Sequence, residues 1–232
     1  MKKNNNLKIR KKGFPPHIAH RGYVRGFTLI EIMVSITVFS IIISSIAGIF
    51  VTSIREQRRT LNSQILLDQT SYVLEYTSRS LRMARKQIAE ETPWCLSQAG
   101  LNYEIPSAPI DYRINGDENL GTGIRFINQL QKKGNYYDCE EFYLENGQLK
   151  YKKDANDPPN SKTFNLTSDA LNITSLKFFL SGKYQGNELQ PDYLQPTVTL
   201  FLEVESKGGS VGTQPKIKIQ TTISQRMLDI VY

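Results

Sequence analysis

A chain of 232 residues with 39% hydrophobic residues is long enough to bury one sizeable core, and its formal charge of +7 looks basic enough for nucleic acid. Position removes that second reading, because eight basic groups (Lys2, Lys3, Lys8, Arg10, Lys11, Lys12, Arg21, Arg25) and no acid fall within residues 1–26, leaving 21 basic against 22 acidic groups beyond them. His17 and His20 lie in the same stretch, so the remainder has no imidazole for acid–base catalysis, a nucleophile triad or a metal site.

Residues 1–26 read as a flexible, Pro-containing basic leader. Basic residues flanking an apolar span stay in the cytoplasm, so this charge sets topology: N-terminus inside, C-terminus outside. A conventional secretory signal has a shorter apolar region that ends in a small-x-small cleavage site. Here the apolar stretch is too long and no such site follows, so a break fits before the apolar run, at Gly26–Phe27. The helix is then retained.

Residues 27 to about 90 read as one long helix. From 32 to 54 there are 23 residues without a charge, roughly 35 Å of helix at 1.5 Å per residue, enough for a hydrocarbon core about 30 Å thick. Glu31 sits at the apolar end of this span, where a carboxylate costs about 2.5–3.5 kcal/mol on insertion scales. Two readings account for it. Thr28-Leu29-Ile30-Glu31 fits the capping box S/T-x-x-E, in which the acid satisfies an orphan backbone donor. Alternatively Glu31 awaits a cationic partner.

Beyond residue 54 the polar residues Gln57, Gln64, Asp68, Ser71, Glu75, Ser78, Arg82 and Lys86 recur at helical period, marking one solvent face. Two apolar stripes share the rest, one with Leu61, Ile65, Tyr72, Tyr76 and Met83, the other with Leu66, Leu67, Val73, Leu74, Leu81, Ala84 and Ile88. Two apolar faces need two partners, the chain's own globular domain and something else; the alternative is a helix simply sunk deep in its own domain. Thr92-Pro93 is the expected helix end, since the residue before proline disfavours helical backbone.

Residues 91–135, dense in Pro and Gly, read as an irregular connection, and 136–232 as strands. Period-two alternation marks 197–205 and 216–224; 175–181 is a third strand, and 141–145 with 148–152 straddle Asn146-Gly147, a hairpin signal. The fold class is α+β, one long helix packed on a C-terminal antiparallel sheet. The domains expected are a leader over 1–26, a membrane-spanning helix over 27–54, its amphipathic continuation over 55–90 and a β-rich head over 91–232.

Cys95 and Cys139, both outside the membrane in this topology, suit one disulfide in an oxidising compartment. The acidic loops 115–119 and 154–157 fit no standard calcium loop and read as solvated turns, Pro158 standing where a further ligand is wanted. Gly121-Thr122-Gly123 is too short to cradle a phosphate. Tyr136, Tyr137, Phe142 and Tyr143 read as core or turn residues. No catalytic residue, no metal and no cofactor is expected.

The run Gly26-Phe27-Thr28-Leu29-Ile30-Glu31, followed by some twenty apolar residues, resembles the type IV pilin and type II secretion pseudopilin family. The likeness covers the junction and the helix to about Lys86. Its continuation, with Arg58-Arg59 and Arg79-Ser80-Leu81-Arg82, is similar to minor subunits of the pseudopilin J or pilin W kind. The resemblance implies a pilin-like fold and no catalysis. It implies cleavage between Gly26 and Phe27 by a membrane prepilin peptidase, N-methylation of Phe27, and Glu31 as the residue that accepts the Phe27 amine during assembly. The implied partners are that peptidase, other pilin or pseudopilin subunits, an inner-membrane assembly platform and the membrane itself. The implied location is the cytoplasmic membrane, single-pass, and then an extracellular or periplasmic filament. A minor pilin is the expected role. A type II secretion pseudopilin is the alternative, and a signal-anchored binding protein or enzyme a remote one. Arg79, Arg82, Arg85 and Lys86 form a local basic cluster among helix contacts, and no nucleic acid is expected.

Overall fold

The computed structural model describes residues 26–90, 92–134, 136–157, 159–183, 194–208 and 214–226. The basic leader up to residue 25, with both histidines, lies outside them, as does Pro158. Compactness divides the chain between Val51 and Thr52.

From Leu29 onward the described part of the first unit is helix. This helix, α1, runs Leu29–Arg82 and opens in this unit. A run of Ile, Val and Phe is a poor helix former in water, but in lipid the helix alone satisfies every backbone group within one segment. The hydroxyls scattered through it are satisfied the same way. Ser35 Oγ donates to the Glu31 carbonyl (2.7 Å), Ser40 to Ile36 (2.8 Å) and Ser45 to Ile41 (3.0 Å). The large apolar side chains stand bare, from Phe27 (83% exposed) to Phe50 (64%). Helix continues through Gly48 without a break.

The second unit holds the rest of α1 and the described strands. Leu66, Thr70, Val73, Thr77 and Leu81, spaced four, three, four and four, form its buried face. Thr70 and Thr77 are tolerated there because each hydroxyl donates back along the helix, to Leu66 O (2.6 Å) and Val73 O (2.7 Å). The helix stops at Arg82, short of the end near residue 90 that Thr92-Pro93 suggested. Tertiary partners capture its last carbonyls instead. Tyr103 Oη donates to Leu81 O (2.7 Å) and the Arg226 amide to Arg82 O (2.9 Å). The chain then turns into a two-residue strand, β1 (Ala84–Arg85).

Ten further strands follow: β2 (Tyr103–Glu104), β3 (Arg113–Ile114), β4 (Asp117–Gly121), β5 (Gly123–Lys133), β6 (Tyr136–Glu145), β7 (Gln148–Lys153), β8 (Lys162–Asn165), β9 (Leu171–Ser181), β10 (Thr197–Ser206) and β11 (Lys216–Ser224). The segment 91–135 is therefore not simply irregular: it contributes β2 to β5. The strands make two antiparallel sheets, one ordered β1-β5-β6-β7-β8 with β2 also on β5, the other β11-β10-β9-β4-β3. Asn146 and Gly147, both at positive φ, turn β6 into β7 with Glu145 opposite Gln148.

The crossing from one sheet to the other occurs at Gly121-Thr122-Gly123. A Cβ on Gly121 would stand 2.6 Å from Tyr112 O, and one on Gly123 2.7 Å from the Tyr112 ring. The two glycines let the Tyr112 backbone close over Thr122, whose amide donates to Tyr112 O (2.8 Å).

One core joins α1 to both sheets through Leu66, Val73, Leu81, Phe126, Phe142, Phe178, Val198 and Leu200. A smaller cluster on the far face of β5 and β6 gathers Cys95, Leu96, Leu101, Ile127 and Cys139. There Cys95 and Cys139 are joined by a disulfide, Cα–Cα 5.4 Å.

Candidate functional site

The N-terminal end of α1 is built by reciprocal capping. Thr28 N and Thr28 Oγ1 each donate to Glu31 Oε2 at 2.8 Å, and Glu31 N donates back to Thr28 Oγ1 at 3.3 Å. The capping reading of Glu31 thus holds in the isolated chain. Both oxygen contacts fall on Oε2, and the helix end with Gly26 and Phe27 is open, nothing standing within 4 Å of a Cβ placed on Gly26. Glu31 is exposed. Its four-residue separation from Phe27 is one helical turn, within reach of an amine at position 27.

Further along, α1 keeps uncovered apolar side chains on both borders of its polar face. Leu61, Ile65, Leu67 and Tyr72 are between 44% and 56% exposed, whereas Leu66, Val73 and Leu81 are sealed. The two-stripe expectation divides unevenly. Tyr76 and Met83, from the first stripe, tuck partly under the sheets, and Tyr76 stacks edge-on against Phe142 and Tyr151. Leu67, from the second, faces out.

The other candidate residues scatter. The loop 115–119 is a tight turn in which Asn119 N donates to Asp117 Oδ1 (2.8 Å), and Asp157 Oδ2 is taken by Asn160 Nδ2 (2.7 Å). Among the described residues no three His, Cys, Asp or Glu side chains gather to hold a metal. The basic cluster disperses: Arg79 pairs with Glu75 (2.6 Å), and Arg85 lies over the Tyr137 ring (4.1 Å). One described helix, α1, is long and apolar enough to cross a membrane.

Sequence reasoning missed the buried acids of β6. Asp138 and Glu140 are fully buried on the face that also carries Phe142, and Glu141, on the other face, pairs with Arg125 Nη2 at 2.9 Å. Glu140 Oε1 accepts from Asn128 Nδ2 (2.8 Å). Burial pushes the Glu140 carboxyl up to about 7 from an ordinary 4.5. The Asp138 charge adds to the rise, and Tyr151 and Asn128 oppose it. The folded protein therefore holds this proton more tightly than the unfolded chain, so stability falls as pH rises from about 4.5 to about 7. Glu140→Gln should match the parent below pH 4.5 and exceed it by up to about 3 kcal/mol at pH 8. Urea denaturation of both proteins across that range checks it.

Residues 21–47 match the model of the prokaryotic N-terminal methylation motif. No curated protein and no solved structure matches the chain. The match ends within the apolar half of α1, so it speaks for the junction and not for the strands that follow. Together with the capped helix end and the long apolar helix, it supports a likeness of this N-terminus to that of a type IV pilin- or pseudopilin-like prepilin.

Proposed function

We propose that this chain is a minor pilin-like structural subunit, cleaved between Gly26 and Phe27, methylated on Phe27 and assembled through its apolar helix into a type IV pilus-type filament. The observation that carries the reading is the methylation motif over residues 21–47, with Glu31 one turn beyond the cleavage point. Residues 27–54 anchor the chain in the cytoplasmic membrane, N-terminus inside, until assembly. Residues 55–90 join that anchor to the head, and the head faces out.

Glycine at position 26 suits the peptidase, because an extended backbone without a side chain enters a narrow cleft. Cleavage creates an amine on Phe27. In lipid, Glu31 gains by leaving its cap for such a cation, on its own or a neighbouring chain, and that pairing sets the axial register. The bare apolar side chains of 27–51 then exchange lipid for neighbouring helices. The subunit contributes position and surface, with no chemistry of its own.

N-terminal sequencing of membrane and sheared-filament fractions tests this. Mature protein should begin at N-methylphenylalanine 27 in both. A functional form that retains Met1 would overturn the proposal.

A further inference from the structure

Strand β11 ends one sheet, and its outer edge faces a groove of about 960 Å³ whose other wall is α1. Ladder geometry identifies the groups on that edge. Ser206 N donates to Pro215 O (3.1 Å) and Gln225 N to Pro196 O (3.1 Å), so the odd-numbered residues of β11 spend their backbone groups on β10. The even-numbered residues, Lys216 to Ser224, direct theirs outward. Arg226 continues the series, and its outward amide is taken by Arg82 O. Thr222 and Ser224 come next, lining the groove with outward backbone groups that meet no partner among the described residues.

Edge strands are normally guarded by charge, proline or a bulge. The first half of β11 has Lys216 and Lys218, each paired to β10, with Glu205 (2.9 Å) and Glu203 (2.7 Å). The second half, Gln220 to Ser224, has no charge and no proline, and β10 pairs with it in unbroken register. The unguarded half is the half that borders the groove. The α1 wall offers Leu74 and Met83, both half-buried, beside Ser71 and Ser78. Its charge is one-sided. Arg79 is engaged by Glu75, but Arg82 and Arg226 are exposed and face no acidic partner among the described residues.

We infer that this groove binds an extended, acidic polypeptide segment of another protein as an added antiparallel strand on Thr222 and Ser224. Main-chain bonds to the edge supply affinity, and alternate side chains supply selection. Those pointing toward α1 meet Leu74 and Met83, and a carboxylate among them meets Arg82 and Arg226. The inference goes beyond filament assembly and stands whether or not α1 enters a filament.

The probe is an acetylated, amidated peptide, Thr-Val-Thr-Leu-Thr-Glu-Thr, against its counterpart with Lys for Glu, added to the full chain in detergent micelles. Amide exchange at Thr222 and Ser224 should slow at least tenfold with the Glu peptide, which should bind at least tenfold more tightly than the Lys peptide. Arg82→Glu combined with Arg226→Glu should reverse that preference. Thr222→Pro, which removes an outward amide and the exposed hydroxyl contact with Thr199 Oγ1 (3.0 Å) but no main-chain bond to β10, should abolish binding while leaving the circular dichroism spectrum unchanged. Equal binding of the two peptides, or unchanged exchange, overturns the inference. So does protection already present in the free chain: if independent of concentration it marks an edge filled by residues 227–232, and if concentration-dependent an edge filled by a second copy.

Discussion

Cys95→Ser combined with Cys139→Ser should lower the stability of the head by about 4 kcal/mol in the chain-entropy model, for a loop of 43 intervening residues. The loss falls on a particular place. The disulfide fastens the segment after α1 to the outer face of β6, inside the small cluster of Leu96, Leu101 and Ile127. That cluster is too small to hold 95–104 by burial alone. Its other ties include the Cys95 and Leu96 amides donating to Gln87 Oε1, at 3.0 and 3.3 Å, the Gly100 amide donating to Gln87 O (2.8 Å), the Gln87 amide donating to Leu101 O (2.8 Å) and the two-residue pairing of β2 with β5. In the double variant these bonds must carry the ordering of the segment unaided, so β2 should lose hydrogen-exchange protection before β6 does. Denaturant unfolding measures the total and exchange the order. Uniform loss of protection across both strands would contradict this placement.

Glu31→Leu has a comparably large expected effect, on assembly instead of folding. Replacing the acid by an apolar side chain removes a cost of residing in lipid, so membrane insertion and cleavage after Gly26 should persist. Under the proposed function, what is lost is the carboxylate that receives the Phe27 amine. Stranding one member of a buried pair costs about 3–5 kcal/mol, roughly two to three and a half powers of ten in an association constant. The variant should accumulate in the membrane at parental levels while its sheared fraction falls at least a hundredfold. Thr28→Ala separates the two duties of Glu31. It removes the hydroxyl of the cap and leaves the acid, so its assembly should stay near the parental level.

Local chemistry explains which parts of the molecule can be read from the chain. The hairpin at Asn146-Gly147 and strands β10 and β11 were legible because turn residues and strict alternation are local signals; β7, β10 and β11 appear with boundaries within a residue of expectation, whereas β6 begins five residues earlier, at Tyr136. The apolar helix and its motif were legible for the same reason. Strand β5 was not. Gly123, Ile124, Phe126, Ile127 and Asn128 are all buried because segments from 95 to 112 cover the second face, and the register shifts between Asn128 and Lys132. Neither effect leaves a periodic trace. The end of α1 was misread because Tyr103 and Arg226, 22 and 144 residues from their acceptors Leu81 and Arg82, decide it. The burial of Asp138, Glu140 and Glu141 was equally hidden. A run of acids on a strand looks solvated until Asn128 and Arg125 from the adjacent strand supply partners.

The way α1 finishes has a mechanical consequence. Tyr103 from β2 holds the carbonyl of Leu81, Arg226 beyond β11 holds that of Arg82, and the Gln129 amide of β5 holds that of Met83 (3.0 Å). Two of these anchors lie in one sheet, and the third follows directly on the last strand of the other. A tensile load along 52–82 would reach the two sheets together, as shear across several parallel bonds, so no single strand would peel away first. Under force, this head should yield in one step.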